Sequence, residues 1–266
     1  MKRLTLVALV ALVALAAPVA PAFADVTMKS IVTGKGATMG GEAVSTTYIK
    51  GNKMRTDFVA GDTVRTSLFD LDTQKMYSYD SKKKEADVYD MQKLSAEVSQ
   101  NVQIKDMKAS IKPNGKTKPI AGKSASGYDM EVSIPATMGG QDGMKMTVSL
   151  VGPMWIVKGA PGTGEYMAFY KNAVEKGWFF SDPRVAQAQP GQAKAMGEMY
   201  RQLAATGGIP YEMEMNVKMS GDGPMKAVFE KMGNISITTT VTAVETGAVA
   251  ANMFAVPAGY TLKEQK

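Results

Sequence analysis

The sequence contains no cysteine and no histidine, and each absence removes whole classes of function. Without cysteine the chain can form no disulfide, present no thiolate nucleophile, hold no cysteine-ligated zinc and carry no lipid on a cysteine at a cleavage site. Without histidine it has no imidazole base, no histidine-bound metal and no Ser-His-Asp triad. Clustered carboxylates such as Glu212 and Glu214 fall on the polar faces of strands or at turns. We therefore expect no enzyme activity, no catalytic residues, no metal site and no cofactor.

Leucine is scarce after residue 24, and methionine replaces it. Only six leucines follow Ala24, whereas all of the 21 methionines except Met1 do so. Methionine is unbranched, flexible and polarisable, so it defines a rigid core poorly but suits apolar surfaces that must adapt to a ligand. The composition therefore favours a deformable apolar site.

Residues 1–24 have the pattern of a signal peptide. Lys2 and Arg3 form a basic start, Leu4 to Ala17 is an apolar run too short to span a membrane, and Ala22-Phe23-Ala24 fits a cleavage site. We expect cleavage after Ala24, export to the periplasm, and a single domain over residues 25–266.

Between Val26 and Met91 the sequence shows short alternating runs separated by turn residues, a pattern typical of an antiparallel meander. The predicted strands are Val26 to Thr33, Ala43 to Lys50, Lys53 to Ala60, Thr63 to Leu71, Lys75 to Asp80 and Glu85 to Tyr89. Asp90 is a suitable N-cap for a short helix from Met91 to Ser99.

A lysine-rich stretch follows, and Pro113-Asn114-Gly115 predicts a hairpin turn in its middle. Two interpretations of the lysines stay open. They could protect an edge strand from pairing with other chains, which we favour, or they could contact anionic lipid headgroups. The lysines are Lys105, Lys108, Lys112, Lys116, Lys118 and Lys123.

The second half alternates between strand and helix patterns. The predicted strands are Gly127 to Pro135, Met144 to Lys158, Tyr211 to Met219 and Ile235 to Val244. The predicted helices are Thr163 to Lys176 with Thr163 as N-cap, a second between Asp182-Pro183 and Gly207-Gly208, and a short third from Pro224 to Met232. The glycines at 159–164 match a phosphate loop in spacing, but Glu165 and Tyr166 stand where that loop needs lysine and serine or threonine.

Apolar stripes on several predicted strands and helices suggest one buried face. Three strands present methionine-rich faces, and the two longer helices carry aromatic and methionine residues at helical spacing. This face is either a closed core or a cavity for flexible acyl chains, and we take the cavity as the functional hypothesis. Its predicted ligand-binding residues are Met54, Phe58, Met130, Met144, Met146, Tyr166, Phe169, Met196, Met199, Tyr211, Met213, Met215 and Met219.

Two segments resemble the periplasmic lipoprotein carriers of the LolA and LolB group. One runs from Gly41 to Met91 and includes Asp72-Thr-Gln-Lys-Met-Tyr-Ser-Tyr79, and the other is the tail from Thr246 to Tyr260. More closely, the whole chain after the signal peptide resembles an uncharacterised family of secreted bacterial proteins, a domain of unknown function placed beside the LolA-like fold. The resemblance implies an α+β fold in which an incomplete antiparallel β-barrel has its concave face covered by helices, with acyl chains held between. The position after Lys50, where the carriers have an arginine, is Gly51, and the nearest basic residues are Lys53 and Arg55.

The leading hypothesis is therefore a soluble periplasmic binding protein for a lipid or another hydrophobic ligand, including lipoprotein acyl chains. The alternative is a sensory or protein-interaction module of the envelope, with a closed core and a partner in the inner or outer membrane. Nucleic acid is not an expected partner, because the basic residues are not interleaved with aromatic ones.

Overall fold

A computed structural model describes residues 24–35, 41–100, 107–138, 144–178, 183, 186, 190–221 and 235–265. The signal-peptide prediction, apart from Ala24, and the predicted helix from Pro224 to Met232 lie outside the described residues. No helix in the described ranges is long and apolar enough to cross a membrane.

The first six strands form the predicted meander, and each pairs antiparallel with the next. They are β1 Val26–Lys35, β2 Gly41–Lys50, β3 Lys53–Ala60, β4 Thr63–Asp70, β5 Lys75–Asp80 and β6 Glu85–Asp90. Gly51 and Gly61 open two of the hairpin turns with φ of 53° and 59°, a backbone conformation that suits glycine. The local turn chemistry therefore fixes this half of the sheet.

The remaining elements add three helices and six strands within the described residues. They are α1 Met91–Gln100, β7 Lys108–Ile120, β8 Lys123–Met138, β9 Met144–Lys158, α2 Thr163–Glu175, α3 Pro190–Ala205, β10 Gly208–Gly221, β11 Ile235–Thr246, a 3₁₀ turn Ala251–Phe254 and β12 Thr261–Glu264.

All twelve described strands belong to one sheet, in the order β12-β6-β5-β4-β3-β2-β1-β11-β10-β9-β8-β7. Pairing of β11 with β1 joins the two halves, and β12 returns parallel to β6. Because β7 and β12 are the two ends of this order and do not pair in the described residues, the sheet is open. The fold is thus α+β, an open and mainly antiparallel sheet with helices packed against it.

Four lysines of the lysine-rich stretch, Lys108, Lys112, Lys116 and Lys118, lie on the edge strand β7, as the interpretation that we favoured expects. Lys123 begins β8, and Lys105 lies outside the described residues. The predicted turn is wrong. The chain reverses at Ala121-Gly122, and Pro113 to Thr117 form an irregularity within β7 instead. Proline has no N–H to donate to a ladder, so Pro113 fits such an interruption, and Gly115 supplies its φ of 74°. Pairing of Thr117–Ile120 with the start of β8 continues the hairpin past the Asn-Gly signal.

The N-cap of α1 is confirmed, and that of α2 is not where we predicted it. Asp90 Oδ1 accepts hydrogen bonds from the backbone N–H groups of Gln92 and Lys93, both at 3.1 Å. Gly162 rather than Thr163 precedes α2, with a φ of 75°, and the Thr163 hydroxyl instead donates to the carbonyl of Ala160. Side-chain packing explains the glycine, because a Cβ there would lie 2.5 Å from Cγ2 of Val26.

Two clusters of apolar side chains lie between the sheet and the helices. The first cluster includes a cross-strand row of Ile49, Met54, Phe69, Met76 and Tyr89, packed against side chains of α1 and α2. The second cluster lies between β8, β9, β10 and α3. A small third group, the outer cluster, joins Leu68, Tyr79 and Ala86 to Val256 and Tyr260 of the C-terminal segment.

Candidate functional site

A cleft of about 570 Å³ opens where the three helices meet the start of β7. Its walls come from α1, from α2 and the two residues that follow its C-terminal turn, from α3, and from the first residues of the edge strand. The lining residues are Ser95, Val98, Met107, Lys108, Ala109, Val174, Gly177, Trp178, Ala193, Lys194, Gly197, Glu198 and Arg201.

Trp178 is the largest apolar side chain in this lining, and the end of α2 sets its position. The backbone N–H of Trp178 donates to the carbonyl of Ala173, while Gly177, with a φ of 73°, donates to Val174. These bonds close a glycine-terminated helix end and turn the indole inward. The side chain is 1% exposed and packs against Phe69 with ring centroids 6.2 Å apart.

The indole Nε1 of Trp178 is buried and has no hydrogen-bond partner in the described part of the chain. A buried N–H without an acceptor costs about 1–3 kcal/mol, so such groups are uncommon in folded proteins. This donor lies in a side chain that lines the cleft.

Hydrogen bonds hold the cleft walls together. The hydroxyl of Ser95 on α1 donates to the carbonyl of Gly177 at 2.8 Å, which joins α1 to the end of α2. On the opposite wall the Gln202 amide binds the edge of β7 twice, accepting from the N–H of Ile111 at 2.9 Å and donating to the carbonyl of Ala109 at 2.5 Å. This amide clamp satisfies outward-facing backbone groups of an edge strand and fixes α3 beside it.

The rim of the cleft carries more positive than negative charge. Three cationic side chains, Lys108, Lys194 and Arg201, line it together with the single carboxylate of Glu198. Arg201 forms a two-pronged ion pair with Glu198, with N–O distances of 2.6 and 2.8 Å. Lys108 and Lys194 form no ion pair with any described residue. The rim therefore presents two cations that have no ion-pair partner among the described residues, beside an apolar floor.

Helix α2 is anchored to the turn between β2 and β3. The buried carboxylate of Glu165 accepts a hydrogen bond from the N–H of Gly51, and the Asn172 amide donates to the Asn52 side chain at 2.9 Å. The sequence placed Glu165 only near the helix N-terminus. Its partner, Gly51, stands at the position where the sequence departs from the carriers that it resembles.

Three tyrosines of α2 and α3, Tyr166, Tyr170 and Tyr200, form a group that we call the tyrosine stack. Ring centroids are 4.6 Å apart for the first pair and 5.4 Å for the second, and the second pair is nearly parallel. The Tyr170 hydroxyl contacts the sulfur of Met54 at 3.8 Å. Burial raises the pKa of all three phenols, with that of Tyr200 at about 12. These side chains fill the space under the helices.

Nine of the thirteen predicted ligand-binding residues belong to the two clusters, and none of the twelve whose side chains are described lines the cleft. Met54, Tyr166, Phe169 and Tyr211 belong to the first cluster. Met130, Met196, Met199, Met213 and Met215 belong to the second. Phe58, Met146 and Met219 are partly buried outside both clusters, and the side chain of Met144 lies outside the described part of the chain.

Sequence reasoning missed the cleft residues because they are spread from Ser95 to Arg201 with no shared spacing. One local signal was available, since Gly177 stops a predicted helix and the next residue is a tryptophan. A second, more apolar groove of about 430 Å³ lies between α2 and α3 and shares Val174 and Arg201 with the cleft. Within the described ranges no group of three or more acidic residues could hold a metal ion.

Comparisons with known proteins give a single kind of match. No family model matches the sequence, and no curated protein matches it. Among solved structures, the fold is similar to a LolA superfamily protein from Nitrosomonas europaea, with a TM-score of 0.29 and 7% identity over 88% of this chain and 91% of that one. A similarity this remote carries no inference about ligands.

Proposed function

We propose that the protein is an exported periplasmic binding protein that holds a lipid or another amphipathic molecule in the cleft. The supporting observation is that one opening combines an apolar floor around Trp178 with Lys108 and Lys194 at its rim, neither of which has an ion-pair partner in the part of the chain that the structure describes. Ligand pockets typically measure about 300–1,000 Å³, and this cleft falls in that range at about 570 Å³. No covalent chemistry is part of the proposal.

The expected contributions to the binding free energy differ between the floor and the rim of the cleft. Burying one methylene group contributes about 0.8 kcal/mol, so an acyl chain of several carbons dominates the affinity. An exposed charge near an anionic headgroup contributes only about 1 kcal/mol. The floor would therefore set how tightly a chain is held, and Lys108 and Lys194 would set the preference for an anionic headgroup.

The cleft adjoins both apolar clusters, which links it to the cavity that the sequence predicted. Val98, Trp178 and Ala193 belong to the first cluster, and Met107 is packed against the second. In the proposed half-barrel a chain entering at Trp178 extends toward the methionines of the second cluster, whose flexible side chains repack at low cost.

The two tryptophans of the chain make a matched test. Trp178 lines the cleft, whereas Trp155 lies under the ammonium of Lys118, 4.5 Å from its ring centroid, and does not line it. Trp155→Phe leaves Trp178 as the only tryptophan, and Trp178→Phe is the reciprocal control. Each variant is titrated with a fatty acid brominated on its chain, because bromine quenches tryptophan fluorescence on contact.

The proposal expects saturable quenching in Trp155→Phe and little quenching in Trp178→Phe. Equal quenching of both tryptophans, or none in Trp155→Phe while its circular dichroism spectrum is unchanged, would overturn the cleft as the binding site.

An interaction module of the envelope is the second candidate, and one observation favours it. The first cluster is filled by its own side chains, with Phe169 and Ala173 each 0% exposed. A module that contacts a membrane protein needs such a closed core and no ligand. Passing envelope extract over the immobilised protein distinguishes the two candidate functions. The interaction module is expected to retain one stable protein partner, and the immobilised protein itself should carry no lipid.

A further inference from the structure

The second cluster contains an unusual concentration of thioether sulfur. Seven of its eighteen described members are methionines, against two leucines, Leu150 and Leu203. Three of the methionines are buried and four are partly buried. They are Met130, Met154 and Met199 in the first group, and Met107, Met196, Met213 and Met215 in the second.

The sheet and α3 bring these side chains together from separate elements. Met154 on β9 and Met213 on β10 are direct cross-strand partners, so their side chains leave the same face of the sheet about 5 Å apart at the Cα atoms. Met196 and Met199, three residues apart on α3, lie close together on the helix surface. The second cluster therefore contains methionine sulfurs from at least three elements, β9, β10 and α3.

A glycine leaves one position of this face without a side chain. Gly152 pairs with Met130 across β8 and β9, and a Cβ at Gly152 would overlap the backbone carbonyl of Glu214. The close approach of β9 to β10 thus requires glycine here. No side chain from that position separates Met130 from its neighbours.

The chemistry of thioethers selects the ligand class. Soft sulfur ligands prefer Cu(I) to hard or divalent cations, and a monovalent ion is less costly to place among apolar side chains than a divalent one. Cysteine and histidine, which would compete for the ion within the chain, do not occur in the sequence. Glu212 and Glu214 alternate with Met213 and Met215, so they project from the other face of β10.

We propose that the second cluster binds a soft monovalent metal ion, Cu(I), through the sulfurs of Met154 and Met213 and at least one methionine of α3. Met196 and Met213 are only partly buried, so solvent reaches at least two of the candidate ligands. The named ligand candidates, Met154, Met213, Met196 and Met199, do not line the cleft, and the ion is proposed to bind the lipid-free protein.

The test measures Cu(I) affinity under anaerobic conditions, with bicinchoninate as the competing chelator and the full chain without its signal peptide. The test variant is Met154→Leu/Met213→Leu, and the matched control is Met54→Leu/Met76→Leu, two buried methionines of the first cluster. Leucine nearly preserves the volume of methionine, so both pairs are expected to fold. Met213→Leu alone, at a partly buried position, is the second variant should the pair fail to fold.

We expect one Cu(I) per chain in the unmodified protein, and an affinity lowered by about tenfold or more in the test variant but unchanged in the control. X-ray absorption should show a coordination shell of sulfur. The proposal is overturned if the unmodified protein does not retain Cu(I), or if the metal shell consists of nitrogen and oxygen. It is also overturned if the test pair and the control pair lower the Cu(I) affinity equally, or if neither Met213→Leu nor the test pair changes that affinity.

Discussion

Replacing Gly162 with alanine tests how α2, which forms one wall of the cleft, sits on the sheet. Gly162 has a φ of 75°, and a Cβ there would lie 2.5 Å from Cγ2 of Val26 and 3.2 Å from Cγ2 of Thr246. Val26 is 1% exposed and pairs with Ile49 and Thr246 on its two sides, so it cannot move away freely.

Two costs add in this substitution. Holding alanine in the left-handed region costs about 1–2 kcal/mol, and forcing one extra carbon into a packed site costs about 1–3 kcal/mol. Gly207→Ala separates the two, because Gly207 has the same φ of 75° and no atom lies within 4 Å of the place that its Cβ would take. Both substitutions reduce the freedom of the unfolded chain equally, so that contribution cancels in the comparison.

We expect Gly162→Ala to lower the free energy of unfolding by about 2–5 kcal/mol and Gly207→Ala by about 1–2 kcal/mol. Urea unfolding followed by far-ultraviolet circular dichroism measures both, with equal slopes required for the comparison. Equal losses in the two variants would refute the packing of α2 on Val26.

Four further expectations concern the cap, the clamp, the rim and the tyrosine stack. Asp90→Ala should lower unfolding free energy by about 1 kcal/mol in urea titration, since it removes the N-cap of α1; no change would contradict the cap. Gln202→Leu should cost about 1–3 kcal/mol and speed amide hydrogen exchange at β7, whereas unchanged exchange there would contradict the clamp. Lys108→Gln/Lys194→Gln should weaken binding of an anionic lipid by about 30-fold, from about 1 kcal/mol for each lysine, and leave binding of a zwitterionic lipid unaffected, as measured with vesicles of each. Lys116→Gln, exposed on the same strand as Lys108 and outside the cleft, is the control, and an equal effect there would contradict the role of the rim. The phenols of the tyrosine stack have pKa values above that of a tyrosine in the unfolded chain. The unfolded state therefore loses protons first, and the free energy of unfolding should fall as pH rises above about 10. Urea titrations up to about pH 12 measure this, and an unchanged free energy would contradict the burial of the stack.

The first half of the fold could be predicted because its turns depend on neighbouring residues alone. Gly51-Asn52 and Gly61-Asp62 reverse the chain through local backbone preferences, and the alternation on either side fixes the faces. The β7–β8 turn was missed because a stronger local signal, Asn114-Gly115, competes with Ala121-Gly122. Pairing of distant residues along β8 and β9 decides between them.

The candidate site was harder to predict for a related reason. The apolar stripes identified which residues face inward, and most of the predicted methionines and aromatics do belong to the two clusters. Periodicity cannot say where packing leaves an opening, because that depends on how three helices meet one strand edge. Trp178 and Lys194 enter the cleft only through that arrangement.

The absence of cysteine and histidine has a more limited meaning once the structure is known. It removes the usual nucleophiles and the common metal ligands, as the sequence indicated. It leaves thioether sulfur as the main soft ligand in the chain, and the second cluster gathers seven such groups.

The most direct test of the lipid-binding proposal is native mass spectrometry of the protein isolated from the periplasm without detergent. The proposal predicts a mass above that of the polypeptide by one amphipathic molecule, released by organic extraction and identified as an acyl-chain lipid. A polypeptide mass with nothing bound, from protein that is folded by circular dichroism, would contradict it.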